Sequence, residues 1–243
     1  MGPLAPLLAL VALLAAAPAA TASPAPPATA AETLVRLSDE RSFTRWANAS
    51  GTATIRAQPL ASAPAVARLH VLTEEGAAEV YLLEQELTTP AGAIWVQLRI
   101  PGRPNGRSGW VPLQALGAIH LTDRALVVSL RRLRATLYLR GRSVWSAPVG
   151  VGAAATPTPT GHFWVRDEIA VPGHTLYGPF AFATSDYSSL SEWALGGVVG
   201  IHGTNQPGLV PGRPSHGCIR MRNADITYLS SRLPVGAPVD VID

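Results

Sequence analysis

The chain has 243 residues, 47% of them hydrophobic and 14% charged, with a formal net charge of +3. That composition excludes general disorder, and the length fits one large domain or two small ones. All 19 basic residues are arginines, and their excess over acids is too small and scattered to suggest nucleic acid. The 22 prolines and 22 glycines, with few long apolar periodic runs, favour short strands and turns: a mainly β chain.

From the N-terminus, Leu4 to Ala17 is an apolar Leu/Ala stretch followed by small residues at Ala20, Thr21 and Ala22. It reads as an export signal over residues 1–22, although no Arg or Lys precedes it. It is shorter than the ~20 residues a membrane span needs, so no stable span is expected after cleavage; an uncleaved anchor is the alternative. No cysteine stands near the cut, which argues against a lipid anchor. The expected location is outside the cell, in the wall or periplasm. Residues 23–49 read as a Pro/Ala linker up to Ala31, then a lead-in that is either a short helix or a strand.

Residues 50–117 look like a small β domain. Strand candidates are Thr54 to Ala57, Val66 to Leu69, Ala78 to Leu82 and Trp95 to Leu98, punctuated by Pro59, Pro64, Gly76, Pro90 and Gly92. Asn105-Gly106 signals a hairpin, and Gly109-Trp110-Val111 a closing strand. The T-x-x-I-R opening, the I-W-V-Q-L strand and the N-G-R-S-G-W-V ending resemble the bacterial SH3-like domain. That resemblance implies a small β-barrel for attachment or positioning at the cell wall. Trp95 and Trp110 read first as simple core.

Residues 118–243 read as a second domain. Ala125 to Leu130 is a buried-strand run; Thr136 to Leu139 and Ser143 to Trp145 flank a hairpin turn at Gly141. Pro148 to Gly152 and His162 to Val165 are further strands, separated by Thr158-Pro159-Thr160-Gly161, where Gly161 can take φ > 0. One helix is readable, with Asn223 as N-cap, Ile226, Leu229 and Leu233 on one face, and Pro234 as its stop. Pro238 to Ile242 closes the chain as a strand.

The only cysteine stands in Ser215-His216-Gly217-Cys218-Ile219-Arg220-Met221, and Ile201-His202-Gly203-Thr204-Asn205 lies upstream. A thiol attacks a carbonyl carbon as the thiolate, and free cysteine titrates near ~8.5, so it needs a base or a positive field. His202 and His216 are both candidate bases. The backbone N–H groups of His216, Gly217 and Cys218 are candidate oxyanion donors, and Gly217 leaves room for close approach. The bland alternative is an inert buried thiol. A zinc held by His202, His216 and Cys218 is disfavoured because their spacing fits no standard zinc module. His70, His120, His162 and His174 lack any supporting pattern.

The halves I-H-G-T-N and S-H-G-C-I-R-M-x-N, with the upstream T-P-T-G, the L-x-L-x-x-G-R hairpin and the P-V-x-V-G strand, resemble the L,D-transpeptidase catalytic domain of the YkuD family over residues 118–243. The resemblance implies a β-sandwich-like mixed sheet with short helices. It implies Cys218 as nucleophile, His202 as general acid/base, Gly203 orienting that base through its carbonyl, and His216, Gly217 and Cys218 as the oxyanion turn. Arg220 would order the site or meet a substrate carboxylate, and Asn223 would brace the strand-to-helix turn. The implied reaction is acyl transfer between peptidoglycan stem peptides: a thioester acyl-enzyme, loss of D-alanine, a 3→3 cross-link, and susceptibility to carbapenems. No metal or other cofactor is implied. Residues 166–197 match the family only loosely; Tyr177, Phe180 and Trp193 could line the groove there, with a core role as likely a reading for Phe180 as the groove. An L,D-carboxypeptidase or hydrolase with the same site, and a non-catalytic wall-binding protein, are the alternatives.

Overall fold

The computed structural model describes residues 1–2, 31–172, 176–192 and 194–243. The export-signal stretch, the linker up to Ala30, His174 and Trp193 lie outside the described residues. Among the described residues no helix is long and apolar enough to cross a membrane.

The fold is mainly β, in two sheets. The first has eight strands. In order across it run Ala65–Arg68, Thr54–Arg56, Arg107–Pro112, Ile94–Ile100, Val80–Thr88, Thr44–Ala49 and Leu116–Thr122; Thr33–Arg36 also pairs with Val80–Thr88. The lead-in is therefore strand, not helix. The pairing of Thr44–Ala49 with Leu116–Thr122 carries this sheet on to residue 122. In Ile94–Ile100 the alternation places Val96, Leu98 and Ile100 inside, where they join Ile55, Leu83 and Val111 in one core.

The second sheet has ten strands and is mixed. Its order is Arg142–Pro148, Arg134–Leu139, Arg124–Ser129, Pro238–Ile242, Gly161–Ala170, Phe180–Tyr187, Val198–His202, Ile219–Arg220, Gly150–Gly152 and Gly212–Ser215. Arg124–Ser129 is central and covered on both faces, which is why Ala125 to Val128 form an unbroken apolar run. The Arg140-Gly141 turn has φ of 50° and 73°, the left-handed pair a two-residue hairpin demands. The single α-helix of the described residues, Asn223–Ser230, buries Ile226 and Leu229. Its N-cap is Arg222, without a side-chain cap bond. Asn223, by type the better cap, is diverted: its Oδ1 accepts from the Thr204 N–H at 2.9 Å.

The sheets share a buried seam. Val80–Thr88 points Tyr81 and Leu83 into the first core, while Val80 and Leu82 pack on Trp164 of the second sheet. Trp164 Nε1 donates to the Val80 carbonyl at 2.8 Å. Beside it Arg166 Nε donates to Glu79 Oε1 at 2.7 Å, its Nη2 contacts the other Glu79 oxygen, and both side chains are only 2% exposed. Removing Glu79 leaves the buried Arg166 only the more exposed Glu74, 2.9 Å away, as its acidic partner. Glu79→Ala should therefore lower unfolding free energy by about 1.5–3 kcal/mol, the range for hydrogen bonds to charged groups, measured by urea titration; a loss below about 1 kcal/mol, the range of exposed pairs, would contradict a sealed seam.

Candidate active site

The site grows from one short parallel pairing, in which Ile201 opposes Ile219 and His202 opposes Arg220. Gly200 lies one step back, level with Cys218: its N–H donates to Cys218 Sγ at 3.4 Å. A methyl on Gly200 would stand 3.9 Å from His202 Cδ2 and 4.0 Å from that sulfur. Imidazole and thiol thus face one small space across Gly200.

His202 is buried, and its Nδ1 lies 2.6 Å from the Gly203 carbonyl oxygen. A carbonyl can only accept, so Nδ1 carries the proton and Nε2 keeps its lone pair. Tyr177 covers the ring edge-on, with centroids 4.8 Å apart. Tyr177 can approach because Gly178 and Gly203 meet back to back: a Cβ on Gly203 would lie 3.0 Å from the Gly178 Cα, and Gly178 has φ of 67°. Burial, outweighing the Gly203 bond, pushes His202 down to about 4; Arg220 adds to the depression. Burial also pushes the Cys218 thiol up, against the Gly200 N–H and Arg220, which pull it down. The resting pair is therefore neutral thiol and neutral imidazole.

The turn before the thiol is clamped by two hydroxyls. Gly217 has φ of 124°. Ser215 Oγ donates to the Cys218 carbonyl at 2.6 Å and accepts the Gly217 N–H at 3.2 Å. That N–H, one of three candidate oxyanion donors, is thus already committed. Thr158 Oγ1 donates to the Gly217 carbonyl at 2.7 Å and accepts from the Gly152 N–H at 2.9 Å. The T-P-T-G and P-V-x-V-G segments therefore meet the thiol turn directly.

Cys218 opens onto two hollows. One, about 200 Å³, is lined by Leu176, Tyr177, Ser188, His202, His216 and Arg220. The other, about 110 Å³, is lined by Ile169, Tyr177, Phe182, His202 and a residue of the first sheet's side, Glu75. Seven of the eight sequence-chosen residues thus gather at or behind the thiol, with Asn223 bracing the loop after His202. Phe180 instead packs against the second core. Among the described residues the one group bringing three candidate metal-binding atoms together is Glu40, His162 and Asp240, so His202, His216 and Cys218 do not converge as a zinc trio.

Sequence reasoning missed Ser215, Gly200, Glu75 and Asp186. The last is held from the first sheet's side by the 101–107 hairpin. Asn105 Nδ2 donates to Asp186 Oδ1 at 2.8 Å, and Arg103 Nη2 to the Ser188 carbonyl at 2.7 Å. Burial pushes Asp186 up to about 8, and its charge raises the Cys218 thiol further.

Residues 123–241 match the family model of the YkuD L,D-transpeptidase catalytic domain. Over 116 residues the chain is 37% identical to a Bacillus subtilis protein named as an L,D-transpeptidase, YkuD, covering 48% of this chain and 64% of that one. A Salmonella typhimurium protein named as an L,D-transpeptidase, ErfK/SrfK, is 34% identical over 157 residues, 58% of this chain and 51% of its own. The chain thus spans less than two thirds of the length of either relative. The L,D-transpeptidase from Mycobacterium smegmatis aligns at 15% identity with a TM-score of 0.42, over 62% of this chain and 91% of that one.

The electrostatics of this site carry two pH predictions. A neutral resting pair predicts that iodoacetamide alkylation of Cys218 accelerates only above the ordinary thiol range near ~8.5. A rate plateau beginning near pH 5 would instead reveal a preformed thiolate–imidazolium pair. Asp186 keeps a proton in the fold that the unfolded chain releases above pH 3.8, so it loses stability as pH rises toward about 8. Asp186→Asn should therefore raise the melting temperature, relative to wild type, more at pH 8 than at pH 5; equal shifts at both would refute the buried proton.

Proposed function

We propose that the protein is an exported cysteine-nucleophile L,D-transpeptidase that forms 3→3 cross-links between peptidoglycan stem peptides. The observation that carries this reading is the tautomer-fixed, neutral His202 facing the Cys218 thiol across Gly200 at the mouth of two hollows. The YkuD-family match over residues 123–241 supports it.

In the reading, Cys218 Sγ attacks the carbonyl of the stem's third residue as His202 Nε2 takes its proton. The carbonyl π pair moves onto oxygen, where the Cys218 N–H is the leading donor candidate now that Gly217 is committed to Ser215. The tetrahedral adduct collapses, the C–N bond breaks, and His202 returns the proton to the departing D-alanine amine. A thioester remains. An acceptor amine then attacks it, giving its proton through His202 to the leaving thiolate. The buried, neutral pair favours proton transfer concerted with attack over a standing ion pair. Arg220, lining the larger hollow, suits the carboxylate of the departing residue. The first sheet is taken as an SH3-like wall-attachment module, residues 1–22 as the signal that delivers the chain to the wall or periplasm, and carbapenems as acylating inhibitors of the same thiol.

Incubation with purified stem tetrapeptides should yield cross-linked dimers by mass analysis; tripeptide alone would identify an L,D-carboxypeptidase, and no thiol-dependent product a non-catalytic wall binder. Cys218→Ala should abolish turnover with the fold intact. His202→Ala should cut kcat/KM by roughly 10²–10⁴-fold; full activity would move the base role to His216.

A further inference from the structure

A hollow of about 480 Å³ opens at the seam of the two sheets, and neither Cys218 nor His202 lines it. Small-molecule sites typically run to ~300–1,000 Å³. Its charged lining is Arg68, His70, Glu74, Glu79, Arg107 and Arg166. The two acids are already committed. Arg166 holds one oxygen of Glu74 at 2.9 Å and both oxygens of Glu79, and the Tyr187 hydroxyl holds the other Glu74 oxygen. The first sheet's cations are not. Among the described residues no hydrogen bond or ion pair engages the guanidinium of Arg68 or of Arg107. Arg107 is half-buried, and its Nε is shut off from water without a partner. Its Nη2 stands beside the hollow: a Cβ on Gly102, which also lines it, would lie 3.4 Å from that nitrogen. With histidine left out of the count, three arginines against two glutamates leave one positive charge over. A partly desolvated guanidinium with no acceptor is held at a cost, which an arriving anion offsets.

We propose that this hollow is a binding site for a carboxylate carried on a compact, partly apolar body, with Arg107 as its anchor. The site is separate from the thiol and does not depend on the acyl-transfer reading. One surplus charge suits a monoanion, and the planar guanidinium fork suits a carboxylate. Val66, Ala67, Ile100 and Pro101 give the hollow an apolar wall, which favours a ligand with some hydrocarbon over a bare inorganic anion. Ile100 and Arg107 pair at the base of the hairpin whose Arg103 and Asn105 hold Ser188 and Asp186. Tyr187, between those two, lines the hollow as well. A ligand seated there touches both sides of the seam. Its carboxylate belongs either to a free short acid or to the C-terminus of a peptide.

The test titrates the full chain calorimetrically with N-acetylalanine, butyrate, N-acetylalaninamide and inorganic phosphate. Both acids should bind at millimolar concentrations, and the neutral amide on the order of tenfold more weakly, as loss of a charge-assisted hydrogen bond implies. Arg107→Gln should weaken both acids by a similar factor. Arg107→Lys, which keeps the charge and loses the fork, should weaken them by less. Absence of binding by either acid, equal binding of the amide, undiminished binding to Arg107→Gln, or tighter binding of phosphate than of either acid overturns the site. Arg220 offers a carboxylate a second place, beside the thiol, so the acid is also located without any variant. Wild-type chain is treated with the arginine reagent phenylglyoxal, and the modified residues are mapped by peptide mass. N-acetylalanine should protect Arg107 and the amide should not; protection of Arg220 alone would put the acid at the thiol and overturn the proposal. Tighter binding of N-acetylalanine than of butyrate assigns a peptide C-terminus, the reverse order a free acid, and either order supports the site.

Discussion

The register of two short parallel strands governs this site. With Ile201 opposite Ile219 and His202 opposite Arg220, the thiol one residue before Ile219 falls level with Gly200. A slip by one residue would turn His202 to the opposite face of the sheet and separate it from the sulfur. Several bonds fix that register. The Met221 N–H donates to the His202 carbonyl at 2.8 Å, and the Gly203 N–H to the Phe180 carbonyl at 3.3 Å. Asn223 secures Thr204 beyond it. Helix, strand and loop therefore converge on one imidazole, and the absence of a Cβ at Gly200 leaves the space that imidazole and thiol share.

The seam gives the site its second constraint. Val80, Leu82 and Trp164 are buried by one another, and Arg166 is satisfied by Glu79 and Glu74 across the junction. Detached from residues 79–82, the second sheet would expose a tryptophan and an arginine that had lost its Glu79 partner. The same junction seats the 101–107 hairpin on Asp186 and Ser188, and Ser188 packs where a Cβ on Gly217 would stand, 3.2 Å away. The first sheet is thus part of the mechanical surroundings of the thiol turn, and a division into attachment module and independent catalyst understates that coupling.

What could be read from sequence was what is encoded locally. The thiol turn and the segment around His202 each carry their own short pattern, so Cys218, His202 and Gly203 could be singled out without knowing which strands pair. The apolar run at Ala125 to Val128 and the Arg140-Gly141 turn were visible for the same reason. Phe180–Tyr187 was hidden because its buried Thr184, Ser185 and Asp186 spoil the expected apolar run, their polarity answered by partners such as the Val199 carbonyl and Asn105. Asn223 misled because cap preference assumes that its side chain is free to turn back on its own helix. Glu75 had no local signature at all: a glutamate beside a glycine reads as a solvated turn, and only the tertiary arrangement encloses it.

Arg220 illustrates how charge acts on a reacting pair. It pulls the proton affinity of both Cys218 and His202 down. Moving a proton from sulfur to Nε2 carries positive charge from one to the other, so a nearby guanidinium favours the thiolate and opposes the imidazolium together, and the two effects oppose each other across the transfer. Arg220 therefore cannot by itself drive a standing ion pair against the burial that keeps both partners neutral. In the proposed reaction the symmetry is broken by negative charge that appears only with substrate: a carboxylate bound beside Arg220 would reduce its opposition to the imidazolium, and the developing oxyanion would give the transferred proton its counter-charge. On the proposed reading the neutral pair ionises only as a carbonyl is attacked, so that no reactive thiolate stands exposed between turnovers.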